Sequence, residues 1–460
     1  MKPISFRMFT ALLISIYFVG AGLAQGATAE TEVAEAGWQL AALEALALSH
    51  APELAAARAE TEAAQKGVKV ARLGWLPQLS TRIAYEDNAK IANVLTFSEP
   101  EPYDLWSSAL IGEWAVFDGF RRHFQLDLAT AEEAVAFWRE RESRQRLLQE
   151  LAAAFFDAAD ARQSLDDLSP LIARARERLE AQQEQLAAGT LSRITLSRIR
   201  QDLAHLEKQR LTARYAQEMA ESRMAGLLAT EEGFWDYREH YEAPPVKVLP
   251  LDLVMKRDIP AVERARADAA AAEAKTGLAR SRFSPQVKLN GSVGYRSLSR
   301  FATEDQNQEY SFGVSLTWDF TDAGTQIVRV AQLQAEERAA TARLELARAR
   351  HLQTVATAQL EKMQAEEMLE LQTELAAMAL RRLNDIKQSY EARTVTRDDL
   401  LAAQQELASA QMELRRAQMQ VSRQAYLLWL TAGQPPLAAL ARSTADSSTK
   451  RSALHDIEHP

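Results

Sequence analysis

Cysteine is absent from this chain of 460 residues. Disulfide bonds are therefore excluded, and so is a lipid anchor attached to an N-terminal cysteine. Glycine and proline are also scarce, with 17 and 14 residues respectively. Long segments consist mainly of Ala, Leu, Glu, Gln and Arg, a composition that is typical of long helices and coiled coils.

Acidic residues outnumber basic ones, and the formal net charge at pH 7 is −9. Nucleic acid attracts basic proteins, so we predict no nucleic-acid partner. The seven histidines show no metal-binding spacing, and the chain has neither a glycine-rich phosphate loop nor a nucleophile elbow. We therefore predict a protein that is not an enzyme and that uses no cofactor or metal.

Apolar runs of the ~20 residues that a membrane helix needs are missing beyond the N-terminus. At the N-terminus, Lys2 and Arg7 precede an apolar run from Met8 to Leu23, and small residues follow. This order is typical of a secretory signal peptide, which we assign to residues 1–29. A membrane-anchor helix is the alternative, for which the run is short. Cleavage near Ala24 or Ala29 would send the chain out of the cytoplasm.

The segment Glu309–Gly324 has a clear two-residue periodicity. One side is apolar and partly aromatic, and the other is small and polar. The apolar side comprises Tyr310, Phe312, Val314, Leu316, Trp318 and Phe320. A soluble strand with its apolar face on a core fits this pattern, and so does a barrel strand between lipid and a wet lumen.

The chain repeats itself. The segment Ala71–Gln78 matches Ala279–Gln286 at an offset of 208 positions, and Trp114 and Asp118 match Trp318 and Asp322 at an offset of 204. Each copy reads as helix, strand, loop, strand, long helix, turn and helix. The predicted divisions are residues 30–230 for the first repeat, 231–252 for a linker, 253–433 for the second repeat, and 434–460 for a flexible polar tail.

The helical segments have breaks at defined places. The segment 38–73 should break or kink at Pro52, and the segment 120–188, which has no glycine, should kink at its single proline, Pro170. If continuous, that second helix is roughly 100 Å long at ~1.5 Å per residue. The first strand is predicted to end before a loop at 87–104, and the second to run from Trp106 to Phe117.

Four strands per chain cannot close a barrel, because an open edge in lipid leaves unpaired backbone groups. The smallest membrane barrels have about eight strands. Strands in a membrane must therefore be shared between copies of the chain, and the long helices would extend that barrel as a tube. A soluble β-sandwich is the alternative from the strand pattern alone.

The sequence resembles the TolC-like outer-membrane efflux proteins in three motifs. They are the helix end Arg-x-x-x-x-Pro-Gln (Arg72–Gln78 and Arg280–Gln286), the junction Trp-x-x-Phe-Asp-Gly (Trp114–Gly119, with a looser copy at Trp318–Gly324), and the turn Ala188–Leu191. The resemblance covers residues ~38 to ~433.

The resemblance implies a mainly α fold with a membrane β-barrel part. In the family, a trimer builds a twelve-stranded barrel from four strands per chain, continued by an α-helical coiled-coil tunnel in the periplasm. It also implies an exit duct of a tripartite efflux pump or a type I secretion system. The implied partners are two further copies of the chain, outer-membrane lipid, a periplasmic adaptor and an inner-membrane pump.

The two helix turns should form the periplasmic tip, where adaptors dock in the family. They comprise Gly189, Thr190 and Leu191 in the first repeat, and Arg393, Thr394 and Val395 in the second. A plain helix-hairpin turn is the alternative role. Arg393 stands where the family usually has glycine, and a left-handed residue there costs ~1 kcal/mol or more.

The resemblance also implies a periplasmic gate near the second turn, formed in the family by aspartates with a tyrosine and an arginine. Tyr390 and Asp399 match best, Asp398 adds a second acid, and Arg397 is an available partner. In a trimer, such acids would form a ring that attracts cations. Their alternative role is to stabilise the positive end of a helix dipole.

The barrel–tunnel junction is predicted at the places where helices and strands meet. Asp118 and Asp322 should cap the helices that follow, and Gly119 and Gly324 should let a strand turn into a helix. The full set is Pro77, Asp118, Gly119, Pro285, Asp322 and Gly324. Charged residues with inward parity, which should face the lumen, are Arg82, Glu113, Lys288, Arg296 and Asp319.

We therefore predict a passive outer-membrane channel whose helical part lies in the periplasm, opened at its tip when an adaptor docks. The alternative is a soluble periplasmic coiled-coil adaptor or scaffold protein. The duplicated strands with lipid-type faces argue against that alternative, because an adaptor would carry one helical hairpin in a β-rich chain.

Overall fold

The structure is a computed structural model that describes residues 40–89, 102–187, 192–229, 259–298, 308–318 and 323–437. The predicted signal peptide and linker lie outside the described residues. The first repeat comprises α1 (Leu40–His50), α2 (Pro52–Leu73), β1 (Gln78–Ala89), β2 (Pro102–Phe117), α3 (Arg121–Ala187) and α4 (Arg193–Leu228). The second comprises α5 (Pro260–Arg280), a 3₁₀ turn (Ser281–Phe283), β3 (Gln286–Leu298), β4 (Gln308–Thr317), α6 (Ala323–Glu391) and α7 (Arg397–Thr431).

The predicted duplication is confirmed, since the same order of helices and strands occurs twice. In the first repeat, the 67-residue helix α3 packs against both α2 and α4. In the second repeat, the 69-residue helix α6 packs against both α5 and α7. Each long helix thus lies beside two shorter ones.

The two prolines at predicted helix breaks lie in different places, one at the start of a helix and one inside a helix. Pro52 is the first residue of α2, so the predicted break between α1 and α2 is confirmed. Pro170 lies inside α3, which continues to Ala187. A proline interrupts the helical hydrogen bonds locally, and the flanking Leu168 and Leu171 are buried in a cluster with residues of α4 and α7. That packing holds the two halves of α3 together as one helix.

The strands form one antiparallel sheet in the order β1-β2-β3-β4. Both strands of the first hairpin extend beyond their predicted ends, because β1 reaches Ala89 and β2 begins at Pro102. The predicted loop at 87–104 is therefore wrong at both ends. Within the described residues, β1 and β4 each pair on one side alone, and their outer edges have no strand partner.

The strand register places the four apolar sides on one face of the sheet. Tyr85 lies opposite Trp106, Leu110 opposite Val293, and Val293 opposite Tyr310. This face is uncovered: Tyr310 is 85% exposed and Phe312 is 78% exposed. A soluble sandwich would bury these side chains, so the structure does not support that alternative.

The main hydrophobic core lies where α1 packs against α3, α4 and α7. It contains Leu43, Leu147, Leu151, Phe156 and Met224 with other buried side chains. The hydroxyl of Tyr426 donates a hydrogen bond to the carboxylate of Glu44, and both residues are fully buried. The first residues of the predicted polar tail also belong here, because Leu437 packs against this core.

None of the helices in the described parts of the chain is long and apolar enough to cross a membrane.

Candidate functional site

The turn between α6 and α7 forms one tip of the molecule. Arg393 has a φ of 59°, in the left-handed region. Its amide donates to the carbonyl of Tyr390 at 2.9 Å, and the amide of Thr394 donates to the carbonyl of Ser389 at 2.9 Å. The left-handed turn therefore falls at Arg393, the position where the resemblance expects glycine. Arginine there bears the local backbone cost of a positive φ, and its side chain is exposed.

The α7 helix begins immediately after this turn with a capping box. The amide of Asp399 donates to Thr396 Oγ1 at 3.3 Å, and the amide of Thr396 donates to Asp399 Oδ2 at 2.9 Å. Hydrogen bonds from Thr396 hold the pKa of Asp399 below its usual value. The Asp399 carboxylate is thus engaged in fixing the start of α7, the role that the helix-start interpretation gave it.

A bidentate ion pair connects the two repeats near the tip. Arg178 of α3 donates from Nε to Asp398 Oδ1 at 2.5 Å, and from a terminal nitrogen to Oδ2 at 2.6 Å. The Arg178 side chain is 17% exposed and that of Asp398 is 34% exposed. Beside it, Arg397 lies 3.7 Å from Glu177. Two ion pairs of opposite direction therefore lie side by side: Arg178 of α3 pairs with Asp398 of α7, and Arg397 of α7 pairs with Glu177 of α3.

Two other ion pairs close to the tip each lie within one helical hairpin, either α3 with α4 or α6 with α7. Arg176 pairs with Glu207 at 2.7 Å and joins α3 to α4. Arg382 pairs with Glu406 at 2.9 Å and joins α6 to α7. A movement of one hairpin away from the other would break the Arg178–Asp398 pair and leave these two intact.

The predicted gate residues do not form one cluster in the chain. Asp398 pairs with Arg178, Asp399 pairs with Thr396, and Arg397 points to Glu177 rather than to either aspartate. Successive residues of a helix point about 100° apart, which separates the three side chains. Tyr390 is 39% exposed. The first predicted turn, residues 189–191, lies outside the described residues, and Val395, next to Thr394, is half-buried.

Sequence reasoning missed Arg178 and Glu177. Their charge order is complementary to that of Arg397-Asp398, but this signal becomes visible only when α3 and α7 are known to be neighbours. Across the described ranges, no three His, Asp or Glu side chains are grouped so that they could hold a metal ion.

The junction between sheet and helices is built the same way in both repeats. The indole of Trp114 on β2 donates to the carbonyl of Trp75 at 3.1 Å. The indole of Trp318, just after β4, donates to the carbonyl of Phe283 at 3.0 Å. Pro77 and Pro285 directly precede β1 and β3. Each hairpin is thus tied to the end of the helix that enters it.

Asp118 and Gly119 shape the start of α3. Asp118 Oδ2 accepts a hydrogen bond from the amide of Arg122 at 3.2 Å and from its Nε at 2.8 Å. Gly119 has a φ of +64° and lies against Ser281 and Ser284 of the second repeat. Gly324 differs, because it lies within the first turn of α6 without a positive φ or a close neighbour. Its predicted role as a turn residue is therefore wrong, and Asp322 lies outside the described residues.

The polar face of the sheet carries cross-strand pairs. Lys288 lies 4.0 Å from Glu113, and Arg296 lies 3.4 Å from Glu309. Hydrogen bonds of 2.8 Å join Asn290 to Ser315 and Ser292 to Ser311. Arg82 is exposed on β1, and Asp319 lies outside the described residues. This face is polar and charged, whereas the opposite face is apolar.

We expect the Thr396→Ala substitution to loosen the first turn of α7, because it removes the side chain that accepts from the Asp399 amide. Amide hydrogen exchange there should become severalfold faster, with Thr394→Ala as an exposed control. Acid should likewise lower the protection of these amides in the native protein, measured relative to the intrinsic exchange rate at each pH. The depressed pKa of Asp399 means that its stabilisation is complete above the ordinary value of ~4 and is lost as the pH falls through the lowered value. Equal exchange rates for these amides in the Thr396→Ala and Thr394→Ala variants would contradict the assignment of Thr396 as the helix cap.

Comparisons with known proteins agree on one architecture. A family model described as outer membrane efflux protein matches residues 43–230 and 256–433. The solved outer-membrane channel OprN shares 21% identity with a TM-score of 0.76, covering 86% of this chain and 90% of that chain. VceC from Vibrio cholerae shares 18% identity with a TM-score of 0.74, covering 86% and 96%.

The open state of MtrE from Neisseria gonorrhoeae shares 18% identity with a TM-score of 0.71, covering 86% of this chain and 89% of that chain. At these identities, the structural likeness establishes the fold. No curated protein matches the chain by sequence.

Proposed function

Because the chain belongs to the outer membrane efflux protein family, we propose that it is the passive exit duct of a tripartite efflux pump or of a type I secretion system. The family places it in the outer membrane, with its helices in the periplasm, and its members are channels rather than enzymes. One observation carries the proposal furthest. A sheet with an exposed apolar face and two unpaired edges continues directly into two long helical hairpins.

The two unpaired edges support assembly from several copies. In lipid, each unpaired backbone group costs several kcal/mol, so β1 and β4 need strand partners. An antiparallel pairing of β4 with β1 of the next copy would supply them without further segments. Three copies give the twelve-stranded barrel of the family, and we propose this homotrimer.

The helices support the same closure. The described contacts of α6 are with α5 and α7, and its remaining surface carries an exposed apolar stripe. The stripe includes Leu360, Met363, Leu371, Leu375 and Met378. On the other side of the molecule, α4 exposes Leu211, Tyr215 and Met219. Packing of these two surfaces between neighbouring copies would bury both and close a tube.

The tip is proposed to be the gate and the docking place for a periplasmic adaptor, which an inner-membrane pump would accompany. The Arg178–Asp398 pair joins the two hairpins of one chain, so an open tip requires that this pair breaks. Adaptor contacts with the exposed turn at Arg393, Thr394 and Val395, and with the first turn at Gly189, Thr190 and Leu191, would supply the free energy.

Planar lipid bilayer recordings test the function. The purified protein should produce discrete, long-lived current steps, with a preference for cations from the acidic residues near the tip. A folded, helical protein that never produces steps, and that is recovered with the soluble periplasmic fraction, would contradict the proposal and favour the adaptor alternative.

A further inference from the structure

A cavity of about 920 Å³ lies between α3, α5 and α6, away from the tip and from the junction. Its α3 side is formed by residues around Glu142 and Arg146. Leu151, nine residues after Glu142 and therefore on the opposite side of the helix, belongs to the main core. The cavity is thus separate from the packed interior.

The charge of this cavity is opposite to that of the whole chain. Five cationic side chains line it, against three carboxylates, in a protein of net charge −9. The cationic residues are Arg146, Arg264, Lys275, Arg343 and Arg350, and the carboxylates are Glu142, Asp268 and Glu336.

Among the described residues, the five cations exceed the three carboxylates by two charges. Glu142 pairs with Arg264 at 2.9 Å and with Arg146 at 3.9 Å. Glu336 accepts a hydrogen bond from Gln332 at 2.8 Å. Within the described residues, Lys275, Arg343 and Arg350 have no ion pair.

Three polar atoms of the cavity wall are buried without a hydrogen-bond partner: the nitrogens Nε of Arg264 and Nε2 of His351, and Oε2 of Glu142, which lies 2.9 Å from Arg264 in their ion pair. Such groups favour a ligand that can bond to them. The rest of the wall is small and apolar, because alanines such as Ala265, Ala271 and Ala340 face the space. A volume of several hundred Å³ with an apolar wall and a few polar groups is typical of a ligand site.

We propose that this cavity binds an amphiphilic organic anion, an apolar ring system that carries a carboxylate or sulfonate group. The ring system would lie against the alanines, and the anionic group would take hydrogen bonds from the unpaired arginines. Arg343 and Arg350 lie seven residues apart on α6, about 10 Å along one face of the helix, and both line the cavity.

Calorimetric titration of the protein in lipid nanodiscs with naphthalene-2-sulfonate tests the proposal, and naphthylmethylammonium serves as the probe of opposite charge. The sulfonate should bind and the ammonium should not. Arg343→Gln and Arg350→Gln should each weaken binding by about tenfold, the effect of one charge-assisted hydrogen bond. Arg381→Gln is the matched control, since Arg381 is exposed on α6 and lies outside the cavity.

A second variant reduces the volume of the cavity without changing its charge. Ala339 lines the cavity, and Ala339→Phe should abolish sulfonate binding while every cation remains. Equal binding of both probes, or an Arg381→Gln effect as large as that of Arg343→Gln, would overturn the proposal. The proposal would also be overturned if the native protein did not bind the sulfonate and the cavity variants had lowered thermal stability. That result would mean that side chains of the protein itself fill the space.

Discussion

The Gly119→Ala variant is expected to fail to assemble. Gly119 has a φ of +64°, which costs any other residue about 1–2 kcal/mol. A Cβ atom at this position would lie 2.3 Å from Cβ of Ser284 and 2.8 Å from the carbonyl oxygen of Ser281. Those atoms belong to the second repeat, so the overlap would push the two repeats apart where sheet and helices meet.

Gly324→Ala is the matched control for this prediction. Gly324 has no atom within 4 Å of its would-be Cβ and lies inside α6. Alanine in a helix is favoured over glycine by roughly 0.5–1 kcal/mol, so this variant should assemble as the native protein does. The measurement is the amount of oligomer recovered from outer membranes. Equal recovery of both variants would contradict the tight approach at Gly119.

The Arg178→Ala variant is expected to open the tip. The bidentate pair with Asp398 is half-buried and joins the two hairpins, and a hydrogen bond to a charged group contributes about 1.5–3 kcal/mol. Its loss should raise the single-channel conductance severalfold, because the hairpins are then held together at the tip by the weaker Arg397–Glu177 contact and, farther up, by pairs such as Arg415–Asp167. Asp398→Ala should have the same effect, since it removes the other partner.

The control for the tip is an exposed ion pair with a single hydrogen bond that lies within one helical hairpin. Arg382→Ala removes the 2.9 Å pair with Glu406 and leaves the contact between hairpins unchanged, so conductance should stay at the native level. The exchanged variant Arg178→Asp with Asp398→Arg should restore low conductance. If Arg382→Ala opens the channel as much as Arg178→Ala does, the pair between hairpins does not hold the tip closed.

The fold followed from the sequence because its signals are local and repeated. Alternation of apolar residues around Tyr310 and Phe312 predicted which side of the sheet is apolar, and the register confirmed that all four strands agree. Pro52 predicted a helix start. Such features depend on a residue and its near neighbours in the chain.

The errors and omissions concern contacts between distant segments. Arg397 was predicted as an available partner for the gate aspartates, and within one chain it lies beside Glu177 of the other helical hairpin. Gly119 and Gly324 differ in conformation, and the close approach of Ser281 and Ser284 to Gly119 comes from a segment distant in the chain. The cation-lined cavity likewise exists only because α3, α5 and α6 are neighbours.

The open edges of β1 and β4 make the number of copies the most direct test of the account. Native mass spectrometry of the protein extracted from outer membranes measures that number. The account predicts a mass of three chains, because three copies of the four-stranded sheet close one barrel. A mass of one chain from a folded, membrane-extracted sample would contradict it, since the sheet edges would then have no partner.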